Sequence, residues 1–222
     1  MPLTLVPTPI GNLEDITLRA LRVLKESDLI ACEDTRTSKI LLRKYNIDTK
    51  LTSFHLYNEN EKLKSLIEQL KDGKKISVIT DAGTPGISDP GWILLKRSIE
   101  EGIEVDVLPG ASAIIPAILL SGIEPQNFMF LGFPPEKSGK RIKFFESVKN
   151  VESALCFYMS PHKIKRQIPD MIEIFGDRNA ALIREISKIH QDSIRKTLSG
   201  ILEYVNNGVK GELVLIVEGL KV

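Results

Sequence analysis

Apolar residues follow two different spacings along the chain. The short continuous runs Leu3–Val6, Asp28–Cys32 and Ile76–Ile79 are typical of buried strands. Between the last two, apolar residues spaced i, i+3, i+4, i+7 predict an amphipathic helix over 61–71. Because short strands and helices alternate in this way, the pattern favours βαβ units and a mainly parallel sheet.

The same criteria extend these predictions to the rest of the chain. Further strands are expected at 51–54, 105–108, 128–131, 154–158, 179–186 and 212–217. Further helices are expected from Thr17, at 37–44, from 92 to about 101, up to Ser121, from Pro161 with a break or bend near Pro169, and at 200–206. The pattern changes after Pro125, which predicts two α/β domains, residues 1–123 and 124–222.

Composition is that of an ordinary globular protein, with 42% apolar and 27% charged residues. No apolar run has the roughly 20 residues that cross a bilayer, and the first residues lack the basic start of a signal peptide. Cys32 and Cys156 are far apart in the sequence and have no paired spacing, which predicts two free thiols in a reducing cytoplasm. We therefore expect a cytoplasmic protein without a membrane partner. A net charge of +1 does not indicate a nucleic-acid-binding protein, although it allows a local basic patch.

The most unusual stretch is the loop 80–91, which follows the predicted strand Ile76–Ile79. Three glycines and two prolines fall within the nine positions 83–91, which predicts a rigid turn that backbone or ligand atoms approach closely. In open α/β sheets, ligands bind beyond the carboxyl ends of the strands. The loop is therefore a candidate binding site, and a purely structural connection is the alternative.

Polar clusters follow several predicted strands. In a parallel sheet such strand ends meet at one rim, which is how a site is assembled from distant parts of the sequence. Each cluster taken alone is also typical of an exposed turn or a helix cap. The four clusters are Glu33–Arg36, His55 with Asn58 and Glu59, Asp81–Asp89, and Arg184 and Glu185 with Lys188.

Several common catalytic motifs are missing. The chain has no GxGxxG, GxxxxGK[ST] or HExxH sequence, and its three histidines and two scattered cysteines disfavour a metal site. Gly110–Ile114 partly resembles a nucleophile elbow with Ser112 at its tip, although the second glycine is replaced by isoleucine. A hydrolase would then need His162 or His190 as base. Alternatively, Ser112 caps the next helix or helps to hold a ligand.

A basic-aromatic run occupies residues 140–145, and Lys163, Lys165 and Arg166 follow it. These cations could contact phosphates. A solvated helix face with its phenylalanines in the core explains the same pattern.

Six motifs occur in the order found in one known family: residues 6–17, 32–36, 81–91, 108–113, 184–188 and 210–212. The chain resembles ribosomal RNA small-subunit methyltransferase I, a family of ribose 2′-O-methyltransferases that modify a cytidine in the decoding region. That family lies in the tetrapyrrole-methylase superfamily of S-adenosylmethionine enzymes. The resemblance implies two α/β domains of tetrapyrrole-methylase type, the first with a mainly parallel sheet flanked by helices. It also implies a cofactor cleft between the domains and a homodimer.

The resemblance also implies which residues contact S-adenosylmethionine. They come from the loop after the first strand, the glycine-proline loop, the start of the helix after residue 112, and the end of a strand in the second domain. Ser112 would then be a cofactor contact rather than a nucleophile. The implied residues are Pro9, Ile10, Asp81, Gly83, Thr84, Ser112, Ala113, Tyr158 and Met159.

A ribose 2′-OH is a weak acid, so its methylation benefits from a base. By their place at predicted strand ends, the candidates are Glu33, Asp34, Glu59 and Glu185, with His55 a weaker one. Arg36 and Lys188 would position phosphate. The implied partner is small-subunit ribosomal RNA within the assembled subunit. The alternatives are a tetrapyrrole acceptor, the Ser112 hydrolase, and a non-catalytic RNA-binding protein.

Two departures from the family pattern stand out. Many members continue into a further helical segment, whereas this sequence stops soon after the last predicted strand. The family tends towards His-Glu after Lys188, and here His190 is followed by Gln191, so no catalytic carboxylate is expected there.

Overall fold

The computed structural model describes residues 1–221 and divides the chain into two units, Met1–Ser112 and Ala113–Val222. The boundary differs from the sequence-based one by a single helix, Ile114–Ser121, which belongs to the second unit. Each unit contains a five-stranded sheet with its own helices.

The first unit alternates strands and helices, as the hydrophobic pattern predicts. Its sheet has the order β3-β2-β4-β1-β5, and all its strand pairs are parallel. Its elements are β1 (Leu3–Leu5), α1 (Leu18–Glu26), β2 (Leu29–Cys32), α2 (Thr35–Lys44), β3 (Leu51–Ser53), α3 (Glu59–Lys71), β4 (Ile76–Ile79), α4 (Trp92–Glu100) and β5 (Val105–Val107).

Both faces of this parallel sheet are covered, because its strands bury alternate side chains on opposite sides. Leu3 and Leu5 of β1 join one core cluster, into which α3 and α4 send Leu66 and Leu94. Ile30 of β2 belongs to the opposite cluster, which α1 and α2 complete. Helices α1 and α4 therefore lie on opposite faces.

The order in which the connections run across this parallel sheet reverses between the neighbouring strands β1 and β4. From β1 it passes through α1 to β2 on one side, and from β4 it passes through α4 to β5 on the other. The two neighbouring strands thus send their connections to opposite faces, which opens a crevice beyond their carboxyl ends. The loops 6–12 and 80–91 border this crevice, hereafter the switch-point crevice.

The second unit has a mixed sheet of order β6-β7-β10-β8-β9. Strands β6 and β7 are parallel, and the other three pairings are antiparallel. Phe145, Phe157, Met171 and Leu215 are buried together in its core. Its elements are α5 (Ile114–Ser121), β6 (Phe128–Phe130), α6 (Ser138–Val148), β7 (Ala154–Met159), α7 (Ile164–Phe175), β8 (Asn179–Arg184), β9 (Asp192–Thr197), α8 (Leu198–Asn206) and β10 (Leu213–Val217).

Two details of the second unit differ from the sequence-based expectation. Helix α7 begins at Ile164 rather than Pro161 and continues through Pro169 without a break. The strand expected at 179–186 ends at Arg184, because Glu185 adopts a left-handed conformation with φ of 50°. No helix among residues 1–221 is long and apolar enough to cross a membrane.

Candidate functional site

Two backbone hydrogen bonds fasten the loops on either side of the switch-point crevice. The N–H of Thr8 donates to the carbonyl of Gly83, and the N–H of Gly83 donates to the carbonyl of Thr8, both at 2.9 Å. The buried Thr8 hydroxyl also donates to the carbonyl of Thr80 at 2.9 Å. Gly83 has a φ of 79°, which L side chains rarely adopt. The beginning of the glycine-proline loop is therefore fixed against the first strand.

The loops after β2 and β5 join the same rim. The backbone N–H of Asp34 donates to Oδ1 of Asp81 at 3.3 Å. The Thr84 hydroxyl donates to the carbonyl of Ala111 at 3.2 Å, next to Ser112. The structure thus brings together much of the predicted site: Pro9, Ile10, Asp81, Gly83, Thr84 and Ser112, with Glu33, Asp34 and Arg36. That these residues bind a cofactor stays a prediction.

Asp34 uses its carboxylate within its own segment. It caps helix α2 by accepting the Arg36 N–H at 2.7 Å, and it also pairs with the Arg36 guanidinium, whose Nη2 lies 2.7 Å from Oδ2. These hydrogen bonds to Arg36 lower the pKa of Asp34 to about 2. Such a weak proton acceptor is poorly suited to the role of base that the sequence left open for it.

Asp89 has a raised pKa, in contrast to Asp34, and its place in the sequence did not mark it as a candidate base. This half-buried residue lies in the second half of the glycine-proline loop. Burial, and then the nearby carboxylates of Glu33 and Asp81, raise the pKa of Asp89 to about 6. Partial burial also raises the pKa of Asp81. Its place in an acidic loop after a strand was visible in the sequence, but the burial depends on the tertiary fold.

His55 and Glu59 lie at the outer edge of the same sheet. Strand β3 is separated from β4 by β2, so both residues are further along the rim than Asp81. The His55 N–H donates to Oδ1 of Asn58 at 2.8 Å, and Glu59 is buried in the first turn of α3. Both residues are therefore built into the turn that starts this helix.

Glu185 and Lys188 stand in the other unit. They follow β8 of the mixed sheet, so the expectation that all four polar clusters share one parallel rim is wrong. Oε1 of Glu185 accepts the Glu212 N–H at 2.8 Å and the Lys188 ammonium at 3.0 Å. These bonds lower the pKa of Glu185. Partial burial alone would lower the pKa of Lys188. The carboxylates of Glu185 and Glu212 have the larger effect, so the pKa of Lys188 is raised.

The contact between Glu185 and its neighbouring turn is very close. A Cβ on Gly211 would lie only 2.5 Å from Cδ of Glu185, and Gly211 has a φ of 89°. The positive φ favours glycine, and a larger residue would also have to displace the Glu185 side chain from its hydrogen bonds. The Glu185 carboxylate fastens this turn, which leaves it a weak candidate for the base.

The remaining predicted cofactor residues also belong to the second unit. Tyr158 and Met159 end β7, where the Tyr158 ring meets Phe130 edge-on at 4.9 Å and Met159 is buried. Ala113 occupies the N-cap position of α5 and directly follows Ser112. The roles of Ala113, Tyr158 and Met159 in binding stay predictions.

Burial raises the pKa of both thiols, that of Cys156 to about 12. Neither cysteine is therefore a thiolate nucleophile at neutral pH. Within residues 1–221, no three His, Cys, Asp or Glu side chains are grouped as a metal site requires.

Comparison with known proteins identifies relatives over almost the whole chain. The sequence profile of a family described as Tetrapyrrole (Corrin/Porphyrin) Methylases matches residues 2–202. A protein of Halalkalibacterium halodurans named Ribosomal RNA small subunit methyltransferase I is 44% identical over 218 residues, which are 98% of this chain and 75% of that protein. The protein of the same name from Thermotoga maritima is 41% identical, over 98% of both chains.

Solved structures show the same fold at much lower sequence identity. A crystal structure of diphthine synthase superposes with a TM-score of 0.77 at 14% identity and covers 97% of this chain and 89% of its own. At such identity the likeness concerns the fold alone. The fold expected from the sequence, two α/β domains of tetrapyrrole-methylase type with a parallel first sheet, is confirmed.

Proposed function

The chain belongs to the tetrapyrrole methylase family, and from that premise we propose that it transfers a methyl group from S-adenosylmethionine to the ribose 2′-OH of a cytidine in the decoding region of small-subunit ribosomal RNA. The observation that carries this proposal is the 44% identity to a ribosomal RNA small subunit methyltransferase I over 98% of the chain. The partner we propose is the assembled small subunit, and the active form we propose is a homodimer.

The residues around the switch-point crevice fit a cationic cofactor. Glu33, Asp81 and Asp89 give this rim a negative potential. Burial, and then the Glu33 and Asp81 carboxylates, raise the pKa of Asp89, so a negative charge on Asp89 carries an electrostatic penalty. A positively charged ligand relieves that penalty, since opposite charges attract most strongly where water is partly excluded. S-adenosylmethionine carries a positive sulfonium, which makes its methyl group electrophilic. Pro9, Ile10, Gly83 and Thr84 would line its place, and Asp81 would accept its hydrogen bonds.

The chemistry then needs an acceptor for the proton of the 2′-OH. S-adenosylmethionine, when bound, would supply the methyl group, and a carboxylate of this chain would take the proton as the ribose oxygen bonds to the methyl carbon and the sulfur leaves. Among the carboxyl groups at hand, Asp89 fits this role best. Its pKa of about 6 makes it a stronger proton acceptor than Asp34 or Glu185, yet leaves it ionised near neutral pH.

A corrin or porphyrin acceptor is the second candidate, because the family description names these compounds. The hydrolase hypothesis for Ser112 has no comparable support, since the family consists of methylases. Supplying both acceptors to the enzyme separates the first two possibilities.

The first test is calorimetric titration with S-adenosylmethionine. We expect the wild type to bind and Asp81→Ala to bind at least tenfold more weakly. Asp48→Ala is the matched control, because Asp48 is an exposed acid that precedes β3 and so lies at the opposite end of the sheet. A folded, empty wild-type protein that does not bind the cofactor contradicts the proposal.

The second test supplies the acceptor. Small ribosomal subunits that lack the modification are incubated with the enzyme and labelled cofactor, and new ribose methyl groups are mapped along the RNA. Methylation of one cytidine in the decoding region is expected. Cofactor binding combined with methylation of a tetrapyrrole, and none of RNA, selects the second candidate.

A further inference from the structure

Helices α6 and α7 of the second unit begin side by side. They pack against each other, and the Lys163 ammonium just before α7 forms an ion pair with Glu136, just before α6. The pKa of Glu136 is lowered by Lys163 and, through space, by Arg166. Cations from the start of α7 therefore lie beside the segment that leads into α6.

A buried arginine holds this segment in place. Nε of Arg141 donates to Oδ2 of Asp170 at 2.6 Å, and its Nη1 donates to the carbonyl of Glu136 at 2.7 Å. Arg141 is thus the internal member of the basic-aromatic run. It fixes the backbone from which other cations project, and its own charge is matched by Asp170.

The cations that remain face solvent. Lys137, Lys140 and Arg166 are exposed, and none of the ion pairs found within residues 1–221 includes them. Glu136 is already neutralised by Lys163. The first turns of α6 and α7 add the partial positive charge of helix N-termini. This part of the surface therefore carries a net positive charge although the whole chain is nearly neutral.

A large exposed aromatic side chain lies in the segment that leads into α6, four positions before Lys137 in the sequence. Phe133 is 60% exposed, and its ring lies 5.4 Å from that of Tyr158. The backbone beside it is tied down, since the Tyr158 N–H donates to the carbonyl of Gly132 at 3.0 Å. An exposed but positioned ring is costly in water and is typical of a surface on which a flat partner stacks.

We propose that the surface formed by Phe133, Lys137, Lys140 and Arg166 binds a single-stranded segment of RNA. An unpaired base stacks on Phe133, and the flanking phosphates lie on the cations. A duplex hides the faces of its bases, so it cannot use the ring. The inference rests on the proposed function for its choice of RNA as partner, and it assigns a place where that partner is held.

Equilibrium binding of the full chain to a fluorescent single-stranded RNA of about ten nucleotides tests this, since one binding module covers a segment of similar length. The charge variant is Lys137→Ala/Lys140→Ala/Arg166→Ala. Its matched control removes three exposed lysines of the first unit, Lys25, Lys44 and Lys64, that take part in none of the ion pairs found there. The charge variant should bind RNA at least tenfold more weakly. The slope of the logarithm of its binding constant against the logarithm of the salt concentration should be smaller in magnitude by about 2.

Phe133→Ala tests the stacking separately. It should weaken single-stranded RNA binding by about tenfold, leave the salt dependence unchanged, and leave duplex binding as it was. Calorimetry with S-adenosylmethionine should give wild-type affinity for every variant. The inference is overturned if both variants bind RNA as the control does, or if Phe133→Ala loses the cofactor instead. If the wild-type protein binds RNA at this surface but methylates no RNA, only the proposed function is contradicted.

Discussion

The backbone N–H of Asp34 donates a hydrogen bond to the carboxylate of Asp81, and Arg36 holds the carboxylate of Asp34 itself. One residue thus links the end of β2 to the glycine-proline loop with its main chain and starts α2 with its side chain. Its neighbour in the loop, Asp81, keeps a raised pKa, whereas that of Asp34 falls to about 2. Two aspartates in contact are therefore tuned in opposite directions.

Asp34→Asn should leave methyl transfer close to the wild-type rate. Asparagine caps a helix as well as aspartate does, and its backbone N–H still reaches Asp81. A small fall in melting temperature is expected, because the ion pair with Arg36 is lost. Single-turnover methylation and thermal unfolding measure the two effects. A hundredfold slower reaction with an unchanged fold would identify Asp34 as the base after all.

The rate of methyl transfer should depend on the ionisation of Asp89. The carboxylate is the active form, so the rate should rise with pH through about 6 and level off above it. Asp89→Asn should lower the rate by about a hundredfold or more and remove this dependence. A pH–rate profile under single-turnover conditions measures both. An unchanged profile in the variant excludes Asp89 as the base.

Glu33→Gln should move the acid limb of that profile to lower pH. The Glu33 carboxylate is, after burial, the main cause of the raised pKa of Asp89, so its removal makes Asp89 more acidic. The plateau rate should change much less than the position of the limb. A limb that stays in place shows that another group controls the profile.

Ionisation of Asp89, which should raise the rate of methyl transfer, should lower the stability of the folded protein. Its pKa is about 6 in the folded protein and about 3.9 in an unfolded chain, so charging it costs the folded state. The protein should lose stability as pH rises from about 4 to 6. Asp89→Asn avoids that loss and should be more stable than wild type at pH 8 by roughly 1 kcal/mol, because solvent partly screens the group. Urea unfolding at pH 4 and pH 8 tests the difference.

Gly211→Ala should destabilise the second unit by about 2 kcal/mol or more, through its positive φ and its overlap with Glu185. Glu185→Gln should cost less, since the amide oxygen still accepts the Glu212 N–H. The lowered pKa of Glu185 adds a pH signature: its contribution is present above the usual glutamate pKa and is lost as pH falls below it. Equal stability of Gly211→Ala and wild type by urea unfolding contradicts this account of the turn.

Local patterns were enough to predict most of the first unit. Runs such as Ile76–Ile79 are apolar on both faces because both faces are covered, and this is a property of the residues themselves. Strand β9 escaped prediction for the opposite reason. It is an edge strand with charged residues at Asp192, Arg195 and Lys196, and its pairing with β8 is a tertiary contact.

The site shows the same division. The polar clusters at strand ends were visible in the sequence, and the loops after β1, β2, β4 and β5 do meet. Which carboxyl group is paired and which is desolvated was not visible. Asp34 and Asp89 are both aspartates in polar loops, and only Arg36 on one side and burial beside Glu33 on the other distinguish them.

The double hydrogen bond between Thr8 and Gly83 also bears on how the first unit folds. It joins positions far apart in the sequence, and strand β4 lies between β1 and β2 in the sheet. The crevice therefore cannot exist until the chain has been made past residue 83 and β4 has been inserted. A ligand that binds there binds only the folded unit, so it shifts the folding equilibrium by mass action. A cofactor bound there, as proposed, would therefore stabilise the folded unit as well as take part in the reaction.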